Sequence, residues 1–305
     1  MAILRKPAWL KVTAGRSASF LAVDTLLQRQ QLHTVCAAAR CPNRGDCWQE
    51  GTAAFMILGE VCTRNCAFCA VPSGKPAAPD PDEPRRLVEA IRQMALRHVV
   101  ITSVDRDDLP DGGASQFVAC VAAIRAAELP APPSIELLTP DFRGKDGALQ
   151  RVLASRPEVF NHNMETVARL YPVVRPAARY ALSLQVLAEA ARSGLRCKSG
   201  IMLGLGEEEE EVEGLLTDLR AVGVSVLTIG QYLQPTRDQH PVVCYVRPEA
   251  FTHWQERALQ LGFAAVESHP LARSSFHALQ LLGESGVRSG ILEKNALSHK
   301  DSLTR

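Results

Sequence analysis

Two patterns of apolar and polar positions alternate along the chain from residue 53 onward. Short apolar runs rich in β-branched residues are separated by longer segments in which apolar residues recur with a helical period. This alternation is typical of βα units around a parallel sheet. The apolar runs predict six strands and a possible seventh, at residues 53–59, 98–104, 134–140, 158–163, 197–204, 226–233 and 263–269.

The segments between these strands carry the start and stop signals of helices. Asp82 precedes one such segment as an expected N-cap, and Pro84 stands in its first turn. The acidic run 207–211 is interpreted as a solvated helix start rather than as a metal site. Three later segments reach a glycine where a helix is expected to end: Gly194, Gly223 and Gly262.

Six or seven such repeats without a dinucleotide-binding glycine fingerprint favour a barrel or partial barrel over a doubly wound sheet. Polar groups that follow the strands are then expected to meet at one end of the barrel. Residues 1–50 and 271–305 lie outside the repeat, so we predict two extensions around a barrel at 51–270.

Composition narrows the classes of function. The 305 residues include 34 Lys and Arg against 33 Asp and Glu, mixed along the chain, so no broad field attracts nucleic acid or an anionic membrane. No apolar run approaches the roughly 20 residues of a membrane span. The first residues lack the features of a secretory signal. We therefore expect a cytoplasmic protein that binds neither nucleic acid nor membrane.

Six of the nine cysteines form two triplets between residues 36 and 69. In a reducing compartment such clustering favours metal binding over disulfides. Three thiolates without a near fourth partner favour an iron–sulfur cluster with one open iron, and zinc completed by a distant histidine is the alternative. The other three cysteines are expected to act as small hydrophobes: Cys120, Cys197 and Cys244.

The second triplet, "CTRNCAFC", directly follows the first predicted strand. Its C-x3-C-x2-C spacing, with Phe68 before the last cysteine, resembles the radical S-adenosylmethionine superfamily. The resemblance implies a 4Fe–4S cluster on Cys62, Cys66 and Cys69 whose open iron binds S-adenosylmethionine, which one electron cleaves to a 5′-deoxyadenosyl radical. The implied fold is an α/β partial (β/α)6 TIM-type barrel, with N-terminal and C-terminal extensions covering the open face.

The first triplet narrows this resemblance. "LHTVCAAARCPNRGDCW" is similar to the lipoyl synthase family, and matching segments follow in order over roughly residues 30–280, as far as "ARSSFHA". The family resemblance implies a sulfurtransferase of lipoate biosynthesis that inserts two sulfur atoms, at carbons 6 and 8 of a protein-bound octanoyl chain. It also implies a second, auxiliary 4Fe–4S cluster that is consumed as sulfur donor, with the ligands Cys36, Cys41, Cys47 and Ser275.

The resemblance also suggests roles for other residues. Arg273 is expected to organise the auxiliary cluster or the substrate chain, with a surface salt bridge as the alternative. Contacts with S-adenosylmethionine are expected from Phe68, Ser103, Asn163, Glu165 and Met202. Helix capping remains the alternative for Asn163 and core packing for Met202. His162 is expected to be a hydrogen-bonded structural histidine.

Three partners are implied by the family: an octanoylated lipoyl carrier domain, a ferredoxin or flavodoxin type electron donor, and an iron–sulfur carrier protein that rebuilds the spent cluster. The carrier belongs to the E2 component of a 2-oxoacid dehydrogenase or to the glycine cleavage H protein. The chain departs from the family pattern at Phe276, where tyrosine is usual, and at Ala37 and Ala38, where acidic residues are common. We expect these departures to change cluster stability rather than to abolish activity. Another radical sulfur-inserting enzyme and a zinc-stabilised binding protein are the competing interpretations.

Overall fold

The structure, a computed structural model, describes residues 5–11, 18–39, 41, 43–49 and 51–275. One eight-stranded sheet organises these residues, with its strands in chain order. Strands β2 to β8 run parallel, β1 pairs antiparallel with β2, and within the described residues β1 and β8 do not pair. The strands are β1 (His33–Thr34), β2 (Thr52–Ile57), β3 (His98–Ser103), β4 (Ser134–Leu138), β5 (Val159–Asn161), β6 (Arg196–Leu203), β7 (Val226–Gln231) and β8 (Ala265–Ser268).

Helices separate the parallel strands and bury one face each. In the helix Glu83–Met94, for example, Leu87, Val88 and Ile91 are buried at helical spacing. No helix of the described ranges is long and apolar enough to cross a membrane. The helices are α1 (Ala18–Arg29), α2 (Val35–Ala38), α3 (Arg44–Gln49), α4 (Glu83–Met94), α5 (Ala114–Ala126), α6 (Ala148–Ala154), α7 (Tyr171–Val174), α8 (Tyr180–Arg192), α9 (Glu209–Ala221) and α10 (Pro248–Gln260), with 3-10 turns at Ala8–Leu10, Phe142–Gly144 and Ala168–Leu170.

The open parallel sheet with its surrounding helices confirms the predicted α/β partial barrel. All six predicted strands are present, and so is the seventh, as β8. Strand β5 is shorter than the predicted 158–163 because regular pairing ends at Asn161, and the chain pairs with β6 again through an isolated bridge between Glu165 and Ile201. Strand β1 was not predicted, since two residues are too few to show a period.

The helix boundaries also follow the predicted signals. Gly194 comes directly after the C-cap of α8 with φ 78°, a left-handed conformation that glycine adopts without strain. Asp82 is at the N-cap of α4 as predicted, but its side chain makes no capping hydrogen bond. The acidic run opens α9, where the Glu211 carboxylate accepts the Glu208 backbone N–H at 2.9 Å.

The two extensions meet beside the barrel. Asn43, which precedes α3, donates from Nδ2 to the backbone carbonyl of Leu271 at 2.7 Å. The boundaries of the predicted domains, 1–50, 51–270 and 271–305, stay a prediction. Phe276 and the rest of the C-terminal extension lie outside the described residues.

The three isolated cysteines differ in burial. Cys120 and Cys197 are buried, at 0% and 1% exposure, as expected of small hydrophobes. The same expectation is wrong for Cys244, whose side chain is exposed. Its segment runs without regular structure between β7 and α10, and its backbone carbonyl accepts a hydrogen bond from Gln231 Nε2 at 3.1 Å. The backbone of Cys244 therefore packs against the barrel while its thiol faces solvent.

Candidate functional site

A cavity of about 530 Å³ lies at the carboxyl ends of the strands. Thiols from both triplets reach its wall: Cys36, Cys41, Cys62, Cys66 and Cys69. Cys47 does not line it and is buried on α3, with 7% of its surface exposed. The loop after β2 and the N-terminal extension therefore deliver their thiols to one space.

The other residues expected at the site also line this cavity. They are Phe68, Ser103, Asn163, Glu165, Met202, Arg273 and Ser275. Ser103 is the last residue of β3 and Met202 is near the end of β6, so the parallel strands bring them to the same end of the barrel. The fold thus groups these residues, whereas the individual contacts expected of them stay predictions.

The loop of the second triplet is held by its own backbone. The Cys62 backbone N–H donates to the Pro72 carbonyl at 2.8 Å, and the Gly74 N–H donates to the Cys62 carbonyl at 2.9 Å. The Cys62 sulfur accepts from the backbone N–H groups of Arg64, at 3.4 Å, and Asp105, at 3.3 Å. Such bonds stabilise a thiolate and are one of the ways in which proteins set the potential of an iron–sulfur cluster.

Arg64 stands within this loop and is almost fully buried. Its guanidinium forms ion pairs with Asp105 at 3.3 Å, Asp107 at 2.8 Å and Asp141 at 2.7 Å. Burial alone would raise the pKa of Asp141, but the hydrogen bond and charge of Arg64 hold that pKa below its usual range. One arginine therefore ties the cysteine loop to the loops that follow β3 and β4.

Burial favours the protonated form of the thiols that line the cavity. Burial raises the pKa of Cys36 to about 12, of Cys66 to about 12 and of Cys69 to about 11. The Arg175 guanidinium acts in the opposite direction on Cys66. A metal that binds thiolates must displace these protons, so metal binding at this site releases protons.

Glu165 projects into the cavity from a strained backbone. Its φ of 65° is left-handed, a conformation that a residue with a side chain keeps only where its surroundings enforce it. Asn163 Nδ2 donates to Glu165 Oε1 at 3.0 Å, and Arg175 Nη1 donates to the backbone carbonyls of Asn163 and Met164 at 3.0 and 3.1 Å. Burial raises the pKa of Glu165, while Arg175 and the Asn163 hydrogen bond lower it.

His162 lines the same cavity with both ring nitrogens bonded. Nδ1 donates to the Thr139 carbonyl at 2.8 Å, which leaves Nε2 to accept from the Ser183 hydroxyl at 2.9 Å. Burial, followed by the charge of Arg175, lowers the pKa of His162 to about 4. The expected structural role of this histidine is confirmed.

The cavity wall also holds buried polar atoms that lack a hydrogen-bond partner among the described residues. They include Ser103 Oγ, Asn163 Oδ1, Thr139 Oγ1 and Thr228 Oγ1. Each such atom costs about 1–3 kcal/mol until something bonds to it. A ligand with amino, carboxylate and hydroxyl groups would satisfy them, so the wall fits S-adenosylmethionine.

The arrangement of the thiols also fits iron–sulfur clusters. Cys62 and Cys69 lie close enough to Cys66 to raise its pKa, Cys62 does the same to Cys69, and Cys41 does the same to Cys36. Among the described residues, no three His, Cys, Asp or Glu side chains converge to hold a single metal ion. In a cube of iron and sulfide each thiolate binds a different iron, so its thiolates stand farther apart than around one ion.

The C-terminal residues cross the open end of the barrel over two glycines. A Cβ on Gly230 would lie 2.2 Å from the Ala272 carbonyl oxygen, and one on Gly200 would lie 3.0 Å from Ser274 Oγ. Arg273 follows beside Cys41, and burial lowers the pKa of the arginine. Only a strand position without a side chain lets this segment approach the cavity so closely.

Sequence reasoning missed two charged residues that line the cavity, Arg64 and Arg175, and two inside the barrel, Glu136 and Lys198. Glu136 and Lys198 are 1% and 2% exposed and form a 3.2 Å ion pair inside the barrel. A signal was available for Glu136, the one charged residue of β4, whereas β6 also carries Arg196 and Ser199 beside Lys198. Arg64 lies between two motif cysteines, but its partners are distant in sequence.

Comparison with known proteins agrees with this geometry. The Radical SAM superfamily signature matches residues 56–219. In solved structures, the chain resembles the Streptococcus suis protein SuiB bound to S-adenosylmethionine, with a TM-score of 0.56 and 11% identity over 74% of this chain and 53% of that one. It also resembles methylornithine synthase (PylB), with a TM-score of 0.52 and 12% identity over 80% and 81% of the two chains. At these identities the likeness concerns the fold alone.

The sequence relatives are much more similar. Lipoyl synthase from Nitrosomonas eutropha is 51% identical over 93% of this chain and 91% of its own. Lipoyl synthase from Methylococcus capsulatus is 54% identical over 91% of this chain and 86% of its own. With two cysteine triplets, a partial barrel and relatives at this identity over nearly their full length, the chain belongs to the lipoyl synthase family of the radical SAM superfamily.

Proposed function

We propose that this chain inserts two sulfur atoms, at carbons 6 and 8, into an octanoyl chain carried on a protein. In this proposal each of its two cysteine triplets holds a separate cluster with its own role. Its cofactors are two 4Fe–4S clusters and S-adenosylmethionine, as in the family to which it belongs. The observation that carries the proposal is that thiols of both triplets and Ser275 line one cavity. A sulfur donor and a radical initiator must reach the same carbon atoms, and a shared cavity allows this.

Cys62, Cys66 and Cys69 would hold the radical cluster in this proposal. Bound to the open iron, S-adenosylmethionine supplies the hydrogen abstraction that an unactivated methylene requires. Glu165 and Asn163 would orient its polar groups, supported by the unpartnered Asn163 Oδ1. Ser103, Met202 and Phe68 would complete that part of the wall.

The auxiliary cluster would lie on Cys36, Cys41, Cys47 and Ser275 and serve as the sulfur donor. Arg273, half-buried beside Cys41, would hold this part of the site in place. Burial of Cys47 on α3 supports its assignment as a ligand shielded from solvent.

The space near the first triplet is suited to an alkyl chain. Cys36, Ala54 and Val100 form a small apolar cluster apart from the main core, with Val35, Cys41 and Leu138 packed against it. Apolar side chains at this part of the wall would favour an alkyl chain over water.

We extend the proposal to partners and location. The octanoyl chain would arrive on a lipoyl carrier domain, of an E2 component or a glycine cleavage H protein. A ferredoxin or flavodoxin type protein would supply electrons, and an iron–sulfur carrier protein would rebuild the auxiliary cluster. A cytoplasmic location is supported by the described part of the chain, in which none of the nine cysteines forms a disulfide.

The test mixes anaerobic protein, a strong reductant and S-adenosylmethionine with an octanoylated carrier domain and follows the mass of the carrier. We expect the carrier to gain two sulfur atoms while 5′-deoxyadenosine accumulates. A variant in which Cys36, Cys41 and Cys47 are alanine should form deoxyadenosine without sulfur insertion. A wild-type protein that forms deoxyadenosine but never adds sulfur would contradict the proposal and leave only the superfamily assignment.

A further inference from the structure

Lys198 is a buried lysine inside a parallel strand of the barrel. It lies on β6 with 2% of its surface exposed, and Nζ is 3.2 Å from each carboxylate oxygen of Glu136. Nζ also donates to the backbone carbonyl of Ser274, the residue that precedes Ser275. Lys198 therefore joins the interior of the barrel to the C-terminal segment.

The partner carboxylate is fixed from two further sides. Asn161 Nδ2 donates to Glu136 Oε1 at 2.7 Å, and His98 Nε2 lies 3.5 Å from Oε2. Although burial raises the pKa of Glu136, Lys198 and the hydrogen bonds lower it to about 2. An ionised Glu136 keeps Lys198 in place, so the bond from Nζ to the Ser274 carbonyl is charge-assisted.

The side chain of Ser274 is held separately. Asn163 Nδ2 donates to Ser274 Oγ at 2.8 Å. Gly200 leaves the space for this contact, because a Cβ there would lie 2.7 Å from Asn163 Oδ1 and 3.0 Å from Ser274 Oγ. Both the carbonyl and the hydroxyl of Ser274 are thus fixed by the barrel.

We propose that Lys198 is a positioning residue for Ser275, acting through Ser274. In "ARSS" the first serine is the anchor, bound by Lys198 and Asn163, and the second is the ligand that it presents to the auxiliary cluster. The inference rests on the proposed function, since it assumes that Ser275 binds an iron. It explains why a strand of the barrel core carries a lysine where an apolar residue would otherwise pack.

The role differs from that of an ion pair that only supports folding. If the ion pair is only structural, its removal would lower the stability of the fold and leave the auxiliary cluster intact in the folded protein. If Lys198 anchors Ser275, its replacement would alter the iron that the serine holds, even in a protein that still folds. The spectrum of the auxiliary cluster therefore separates the two roles.

The experiment uses the full chain with Cys62, Cys66 and Cys69 replaced by alanine, so that only the first triplet binds a cluster. Into this parent we introduce Lys198→Met, Ser275→Ala and, as matched control, Lys145→Met. Lys145 also donates from Nζ to backbone carbonyls, those of Asp107, at 3.1 Å, and Leu109. After anaerobic reconstitution, iron content, the EPR spectrum and the rate of iron loss to a chelator are measured.

We expect the parent and Lys145→Met to keep a four-iron cluster. Lys198→Met should lose iron roughly tenfold faster, in line with the loss of one charge-assisted hydrogen bond, and should show the three-iron EPR signal of Ser275→Ala. Adding Lys198→Met to Ser275→Ala should change nothing further. A folded Lys198→Met protein with the parent's spectrum and rate overturns the inference.

Two further variants keep the test decisive if Lys198→Met fails to fold. Glu136→Gln combined with Lys198→Met removes the uncompensated buried carboxylate and must show the same cluster defect. Ser274→Ala keeps the ion pair and must accelerate iron loss by itself, because it removes the contact with Asn163. Unchanged iron loss in either folded variant overturns the inference. A parent that binds no cluster at all contradicts the proposed function instead.

Discussion

The guanidinium of Arg64 and the carboxylate of Asp141 are joined by a 2.7 Å contact from Nη2 to Oδ1, and both side chains are almost fully buried. Arg64 belongs to the loop of the second triplet and Asp141 follows β4. The ion pair thus fixes the cysteine loop to a neighbouring strand end. We therefore expect the position of the Cys62, Cys66 and Cys69 thiols to depend on this ion pair.

Replacing Arg64 by glutamine should therefore destabilise the fold. The change leaves three aspartates near one another without their cation, and removal of one partner of a buried ion pair costs about 3–5 kcal/mol. Urea unfolding of the metal-free protein measures this loss. Arg92→Gln, which removes an exposed pair with Glu89, is the control and should change stability by less than about 0.5 kcal/mol. Equal effects of the two substitutions would show that the Arg64 ion pairs do not hold the loop.

Gly230→Ala should displace the C-terminal segment. The added Cβ would meet the Ala272 carbonyl oxygen at 2.2 Å, so the backbone before Ser275 must move. We expect the auxiliary cluster to lose iron while the radical cluster still binds S-adenosylmethionine. The control is Gly214→Ala on α9, where nothing lies within 4 Å and where alanine should stabilise the helix by about 1 kcal/mol. Iron analysis with both variants checks this, and a normal iron content in Gly230→Ala would contradict it.

Glu165→Gln should weaken S-adenosylmethionine binding. Glu165 lines the cavity, Arg175 and Asn163 offset part of the burial that raises its pKa, and an amide accepts a hydrogen bond from an amino group less strongly than a carboxylate does. We expect roughly a tenfold loss of affinity, about 1.4 kcal/mol, with unchanged iron content. Equilibrium binding to reconstituted protein gives the value, with Glu209→Gln in the first turn of α9 as control. Unchanged affinity would remove Glu165 from the binding site.

His162 should make stability depend on pH between about 6.5 and 4. Its pKa is lowered to about 4 by burial, so the unfolded chain binds a proton in this range that the folded chain does not. The neutral ring stabilises the fold fully above pH 6.5, and this stabilisation, on the order of 3 kcal/mol, is lost as the pH falls to 4. His162→Gln should be less stable than wild type at pH 7.5 and closer to it at pH 4.5. A stability difference that stays constant with pH would contradict this assignment.

The sequence predicted the strands and the cavity residues for different reasons. Strands were visible because buried parallel strands are continuous apolar runs. Asn163, Glu165 and the cysteines are identified through motif resemblance. The parallel topology brings Asn163, Glu165 and the second triplet to one end of the barrel, whereas Cys36 and Cys41 reach the cavity from the N-terminal extension. A strand of two residues, such as β1, is too short to show a hydrophobic pattern in the sequence.

Long-range partners could not be predicted. Lys198 and Glu136 are 62 residues apart and lie on different strands. A single sequence indicates that such a charge needs a partner but not which one, because the partner is set by strand order and register. Arg64 and Asp141 are 77 residues apart and follow the same logic.

The central claim, that each triplet holds its own cluster, is tested most directly by counting iron on oxygen-free material. Wild type should bind about eight irons, and each variant with one triplet replaced by alanine should bind about four. Mössbauer spectra should show that S-adenosylmethionine perturbs only the cluster on Cys62, Cys66 and Cys69. About four irons in wild type, with no change when Cys36, Cys41 and Cys47 become alanine, would contradict the account.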